Sequence, residues 1–280
     1  MGCHHVRTVV CAARDVVPQG ALVSDYTAIL AGAVVLAGGM ALVDTLVLKR
    51  RRAVGPDGEI AEPSWVVGQA RSLWPVLLAV LLFRSFLFEP FRIPSESMLP
   101  GLIDGDFILV TKFAYGLRLP LLNTLVVSTG EPKRGDVVVF RSPSDPDTNL
   151  IKRLIGLPGD HVAVRNNRLF VNGALMPLMP DGLFSGGFGF NGSPLARERF
   201  DDAEHVLLLA SGRFATDFDG VVPAGHYFFM GDNRNDSEDS RFPDVGFVPR
   251  DNLIGHAVRI WMSWQMPGWP KFGRVGMRIQ

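Results

Sequence analysis

The sequence predicts two N-terminal membrane-spanning helices followed by a mainly-β domain of folded antiparallel sheets. Three observations carry this expectation. Apolar residues make up 47% of the 280-residue chain and concentrate in two blocks before residue 92. Beyond that point, short runs of Val, Ile, Leu and Phe alternate with Gly, Pro and Asp, the pattern of short strands joined by turns. No long stretch there shows the 3.6-residue period of an amphipathic helix.

The N-terminal tail, residues 1–26, has no clear pattern and is assigned no role. It holds both cysteines, Cys3 and Cys11, so the main domain has no disulfide framework and no cysteine metal site. No apolar secretory run precedes Cys3, which argues against a lipid anchor there.

The first apolar block, Thr27–Leu48, carries one charge, Asp44. At about 1.5 Å per residue it crosses a ~30 Å hydrocarbon core. Gly32, Gly38 and Gly39 would let a second helix approach closely, and Asp44, near the end of the run, is expected at the interface. The second block, Ser72–Phe88, crosses if Arg84 snorkels to one interface and Trp74 sits at the other. Between the blocks, Lys49, Arg50, Arg51 and Arg52 open a polar loop, residues 49–71. Four adjacent cations in a short loop mark the cytoplasmic side, so residues 89–280 are expected on the outer face. A cleaved leader fits poorly, because two apolar blocks follow rather than one.

In the exported part, Phe107–Val110, Val137–Phe140, His161–Val164, Arg168–Val171 and His226–Met230 read as strands. Asn172-Gly173 signals a tight hairpin, and Gly156–Asp160 a strand-to-strand turn. Residues 175–222 are Gly-rich and read as an insertion between core strands. Trp261, Trp264, Trp269 and Phe272 crowd the C-terminal stretch. Core packing accounts for some of them, and exposed ones would suit a lipid headgroup layer.

Charge and motifs narrow the function. Formal net charge is zero, which leaves no broad basic footprint for nucleic acid. The histidines, His4, His5, His161, His205, His226 and His256, form no His-Glu-x-x-His motif, so no metal or other cofactor is expected. The acidic run Asp232–Asp239 has Arg at its third position and no Gly at its sixth, which does not fit a calcium loop. Gly156–Asp160 lacks the Gly-Lys-Ser/Thr ending of a phosphate loop. No Gly-x-Ser-x-Gly elbow exists for a histidine-assisted serine.

Serine and lysine remain. Pro90 and Pro94 bias Glu89 and Ile93 to extended conformations, so the chain is expected to leave the second span as a strand. If it continues, Ser95 and Ser97 share one face, and Ser97 is a nucleophile held at the membrane surface. A lysine with a pKa near 10.4 is only about 0.04% deprotonated at pH 7, so it serves as a base only where burial lowers that value. Lys152 shares a strand face with Leu150 and Leu154, while Arg153 points the other way, to solvent or to a structural partner. An ordinary snorkelling lysine fits the same local pattern.

Taken together the motifs resemble bacterial type I signal peptidase, the membrane-bound serine–lysine leader peptidase. The similarity runs from near Trp74 to about Trp264. It is carried by Pro94-Ser95-Glu96-Ser97-Met98 with Pro100, Gly105-Asp106 and Lys112; by Lys133-Arg134-Gly135-Asp136 with Val137 to Phe140; by Ile151-Lys152-Arg153 with Gly156 to Asp160; and by Gly231-Asp232-Asn233-Arg234 through Ser237, Asp239, Ser240 and Arg241. Four boxes in the family's order are far more specific than one.

The resemblance implies a fold akin to signal peptidase and LexA-like domains. It implies that Ser97 is the nucleophile and Lys152 the general base, with the Ser97 N–H and the Ser95 hydroxyl as the oxyanion hole. Ser237 would hydrogen-bond and orient the lysine. Asp239 and Arg241 would pair to hold the site, and Asp232 and Asn233 would support that loop. Phe91, Ile93, Pro94, Met98 and Leu102 match positions lining shallow apolar pockets, as do Ile108, Val139, Leu150 and Ile151. Such pockets would admit only small side chains, the Ala-x-Ala pattern. Secretory preproteins and the phospholipid bilayer are the implied partners, and the cytoplasmic (inner) membrane, with the catalytic domain on its periplasmic face, the implied location. The exported domain lacks the cysteine pair of some relatives. A LexA-type self-cleaving repressor is the alternative of related fold, and a non-catalytic membrane-tethered binding protein the alternative of another class.

Overall fold

A computed structural model describes residues 19–52, 61–118, 125–200, 203–210 and 216–280. Cys3, Cys11, His4, His5 and the middle of the 49–71 loop lie outside the described residues. Helix α1 runs Gln19–Val43 and continues through a π-helical stretch, Asp44–Leu48, to a last turn at Lys49–Arg51. Helix α2 spans Trp65–Phe86. Both are long and apolar enough to cross a membrane. The second starts before the expected Ser72, because Gly68, Gln69 and Arg71 lower hydropathy without ending a helix. It stops at Phe86, because Phe88 is already paired in a sheet.

The two helices pack through one of the three expected glycines. A Cβ on Gly38 would lie 2.3 Å from Trp74 Nε1, whereas Gly32 and Gly39 face open space. Trp74 therefore packs against the first helix at Gly38. Asp44 is fully buried and paired to Arg52 and, at 3.3 Å, to Arg71, so the end of the first helix and the start of the second are tied across one carboxylate. Arg84, near the other end of α2, approaches a carboxylate. It lies 4.0 Å from the buried Glu89, which also holds Lys112 at 3.2 Å.

A single residue, Leu87, separates α2 from the first strand. A seven-stranded antiparallel sheet follows, built from β1 (Phe88–Arg92), β2 (Asp106–Thr111), β3 (Val137–Arg141), β4 (Asn149–Gly156), β5 (His226–Met230), β6 (Val248–Pro249) and β7 (Leu253–Ser263). Their order across the sheet is β1-β2-β7-β3-β4-β5-β6. The run Val137–Phe140 has no polar face because both faces are covered. Val137 and Val139 pack with Phe91, Ile108 and Ile260, while Val138 and Phe140 pack with Leu154, Phe229 and Leu253.

Three smaller sheets accompany it among the described residues, one of them the two-stranded pair Leu117–Arg118 and Leu125–Val127. Phe218–Val221, His161–Arg165, Arg168–Val171 and Ala174–Leu175 form another. Asn172 and Gly173 turn between its last two strands with φ of 53° and 80°, as the expected hairpin requires. Leu178–Leu183, Pro194–Phe200 and Ala203–Leu208 form the third. The segment read as an irregular insertion thus supplies a small sheet of its own, and its last strand belongs to the neighbouring one.

Candidate active site

The chain does not stay extended after β1. Residues 95–100 bend into a turn, closed by Leu99 N–H donating to Glu96 O at 3.1 Å and Leu102 N–H to Met98 O at 3.0 Å. This corrects the expectation of a continuing strand. The reason is the capture of this segment from outside. Asn233 donates its backbone N–H to Ser97 O at 3.0 Å and its side-chain amide to Glu96 O at 3.2 Å. The two serines still meet, with Ser95 Oγ 3.3 Å from Ser97 Oγ.

Lys152 comes from β4, opposite Val138 of β3. Leu150 and Leu154, its neighbours on that face, pack on the cluster around Phe140 and Phe229, so the lysine rises from an apolar surface. Its Nζ donates to Ser97 Oγ at 2.6 Å, and both residues are buried. Desolvation lowers the Lys152 pKa from 10.5 to about 8, against the opposing pull of Asp239 and Glu238. Arg241 adds to the lowering. At pH 7 a group of that pKa is roughly 10% neutral, more than a hundredfold above an ordinary lysine.

Two of the carboxylates near the lysine, Asp232 and Asp239, are each held by an arginine. Arg153 Nε and Nη2 donate to Asp232 at 2.7 and 2.6 Å, so Arg153 has a buried partner and not solvent. Arg241 grips Asp239 with two bonds of 2.8 Å, and Asp239 accepts from Gly231 N–H at 2.9 Å. Pairing them with guanidinium groups limits how strongly these acids hold a proton on Lys152.

Ser237 departs from expectation. Its hydroxyl is buried without a hydrogen-bond partner, so the expected bond to Lys152 is not made; Nζ is engaged by Ser97. A Cβ on Gly231 would lie 2.2 Å from Ser237 Oγ and 2.6 Å from Ser97 O, so both residues press on that glycine. Of the positions matched to apolar pockets, Phe91, Ile93, Met98 and Leu102 join Ile108, Val139 and Ile151 in one cluster. Leu150 packs on the opposite cluster, and Pro94 is exposed.

Sequence reading missed a second layer. Arg234 is buried and paired in bidentate fashion with Glu198, one contact at 3.0 Å. Arg274 holds Asp106 and donates to Gly101 O at 2.8 Å, bracing the turn beyond Ser97. An unpaired buried charge is costly, so charged residues in apolar-patterned strands such as Pro194–Phe200 were the available signal.

A serine hydroxyl bonded to a desolvated amine, on a β domain that follows two apolar helices, is an arrangement that suits a serine hydrolase. Comparisons with known proteins narrow this. Residues 66–263 match the family described as signal peptidase, peptidase S26, and the chain belongs to that family. It is 43% identical to signal peptidase I of Pseudomonas aeruginosa over 90% of this chain and 98% of that one. It is 42% identical to signal peptidase I of Pseudomonas fluorescens, with the same coverage. A solved signal peptidase I from Enterococcus faecalis V583 aligns at 28% identity and a TM-score of 0.27, over 45% of this chain and 96% of that one; the sequence relatives carry the assignment. The self-cleaving repressor reading falls away.

Proposed function

We propose that the chain is a membrane-bound serine endopeptidase that removes N-terminal signal peptides from exported preproteins, cutting after small residues in an Ala-x-Ala pattern. The observation that carries this is the 2.6 Å contact between Lys152 Nζ and Ser97 Oγ in a buried setting.

In this reading neutral Lys152 takes the Ser97 hydroxyl proton as Oγ attacks the scissile carbonyl carbon. The carbonyl electrons move onto oxygen, where the Ser97 N–H and the Ser95 hydroxyl receive them; each such donor is worth about 3–4 kcal/mol. Lys152 then gives its proton to the leaving amine, and the acyl-enzyme remains. Neutral again, the lysine takes a proton from a water as that water attacks the ester carbonyl, and returns it to Ser97 Oγ as the acyl group leaves. Protons balance among serine, lysine and water, and no cofactor is needed. Asp239–Arg241 and Asp232–Arg153 keep their charges paired, and Asn233 fixes the Ser97 turn. Ser237 would orient the lysine in the loaded enzyme.

Substrate would bind as an added strand. Pairing of β5 with β4 ends at Arg153, so residues 149–152 have no strand partner on that side, and β1 is a sheet edge. The cluster of Phe91, Ile93, Met98, Val139 and Ile151 would leave room only for small side chains.

The four cations at Lys49–Arg52 support a cytoplasmic hairpin loop in the inner membrane, with the catalytic domain on the periplasmic face. Trp264, Met266, Trp269 and Phe272 are exposed and suit contact with the bilayer surface. Cleavage of a secretory precursor with mapped cut sites tests the whole reading. A cut elsewhere than after a small residue, or none, would sink it.

A further inference from the structure

The small sheet at 178–208 reaches into the site from behind. Glu198 and His205 are directly opposed on its central hairpin, on the face turned inward, and both are buried. Glu198 holds Arg234 by two contacts. His205 Nε2 stands 3.5 Å from Glu198 Oε2 and 3.8 Å from Asp232 Oδ1, with its ring stacked on Phe200 at 5.1 Å. Neither ring nitrogen has a hydrogen-bond partner among the described residues. Burial, with Arg153 and Arg234 nearby, drives the His205 pKa well below its ordinary value, so the ring is neutral and adds no charge to the two carboxylate–guanidinium pairs it separates.

The backbone makes the same connection. Leu208 N–H donates to Asp232 O at 2.9 Å, and Arg234 N–H donates to Leu208 O at 3.0 Å. Asn233, between those two residues, holds the carbonyls of Glu96 and Ser97. Two steps of hydrogen bonding therefore join the hairpin to the peptide that carries the nucleophile. From below, Leu99 and Ile103 pack on Phe184 and Phe190 of the same sheet's connecting loop.

We infer that Glu198 and His205 are positioning residues for cleavage. They fix the 232–234 loop, and through Asn233 they fix where Ser97 Oγ stands relative to Lys152 Nζ. The inference rests on the proposed roles of Ser97 and Lys152. Neither Glu198 nor His205 touches substrate or the reacting atoms. Loosening them acts on the alignment of the pair and leaves the apolar pockets intact, so the effect falls on kcat and not on KM.

The experiment compares precursor cleavage by the full-length protein in detergent for wild type, Glu198→Gln, His205→Gln, Arg197→Ala and Ser97→Ala, with thermal unfolding of each. Arg197 lies on the same strand but pairs outward with Asp181 and Glu204. The expected result is a kcat loss of about tenfold or more in folded Glu198→Gln, since misplacement of order 1 Å costs up to a hundredfold. KM stays within about twofold of wild type in that variant, and Arg197→Ala is unchanged. His205→Gln leaves no buried charge unpaired, so it decides the matter if Glu198→Gln does not fold. Its kcat should fall severalfold with KM unchanged. Wild-type kcat in a folded Glu198→Gln or His205→Gln, or a loss confined to KM, overturns the inference. If Ser97→Ala remains active, the reading of the nucleophile has failed instead. An inactive Ser97→Ala beside full kcat in the hairpin variants means that only the brace has failed.

Discussion

Arg153 and Asp232 form a bidentate ion pair with contacts of 2.7 and 2.6 Å, buried at the position next in the chain to Lys152. Removing one partner of such a pair leaves an uncompensated charge and costs about 3–5 kcal/mol. Asp232→Asn should lose stability of that order in urea unfolding of the detergent-solubilised protein. The double change Arg153→Met with Asp232→Leu should recover much of it, because paired charges in an apolar interior contribute little net stability. A single variant as stable as wild type would show that water already reaches the pair.

Ser97→Ala and Lys152→Ala should each abolish precursor cleavage while the far-ultraviolet circular dichroism spectrum stays that of the folded protein. Ser97 bears no charge, and the buried Asp239 that acts on Lys152 keeps its Arg241 partner in either variant. Measurable turnover in either variant, with clean mass-spectrometric mapping of the cut, would exclude the assigned nucleophile or base.

The rate should rise with pH. Only neutral Lys152 accepts the serine proton, and its pKa is lowered to about 8, so kcat/KM should climb on the acid side and reach half its maximum near pH 8. A profile flat from about pH 5 to 9 points to another base.

The same shift has a signature in stability. Below pH 8 the lysine is protonated in both folded and unfolded chains. Between about 8 and 10.5 the unfolded chain binds more protons, so stability rises with pH. Wild type should gain stability relative to Lys152→Met across that window, as read by denaturant midpoints at a series of pH values. Parallel curves for the two proteins would mean that folding leaves the lysine pKa where it is in the open chain.

Gly231→Ala should damage activity more than its size suggests. The added methyl would meet Ser237 Oγ at 2.2 Å and Ser97 O at 2.6 Å, and the second contact is backbone that carries the nucleophile. Overpacking of this kind costs about 1–3 kcal/mol, and the shift falls on the Ser97 turn. Cleavage kinetics with thermal melts check it; unchanged kcat would mean that the turn gives way without moving Oγ.

Much of this was legible in the sequence, and the failures have physical causes. Lys152 could be placed on an apolar face because β4 pairs with β3 in unbroken register from Asn149 to Arg153. The longest strand, Leu253–Ser263, was not read, because irregularities between Ala257 and Arg259 and between Ile260 and Met262 break its alternation. The Ser95–Ser97 contact was foreseen for the wrong reason. A strand was expected, and a turn pinned by Asn233 from far along the chain delivers the same proximity. The contact of Trp74 with Gly38 was not read, because the register between two apolar helices leaves no mark in either segment alone. The small sheet at 178–208 was unreadable because its inward face carries Glu198 and His205, whose burial depends on partners remote in sequence.

The junction at Leu87 makes the second helix a stem without a swivel. Phe86 ends the helix, Leu87 O already accepts from Lys112 N–H at 3.1 Å and Phe88 stands opposite Thr111 in the sheet, while Glu89 ties Arg84 of the helix to Lys112 of the sheet. A tilt of the helix is passed to the sheet as a tilt of the same sense. The height at which Ser97 stands above the end of that helix is therefore a fixed dimension of the molecule, set by a short span of chain as by a gauge block. Lengthening the stem by insertion at residue 87 changes that height and the orientation of the site together.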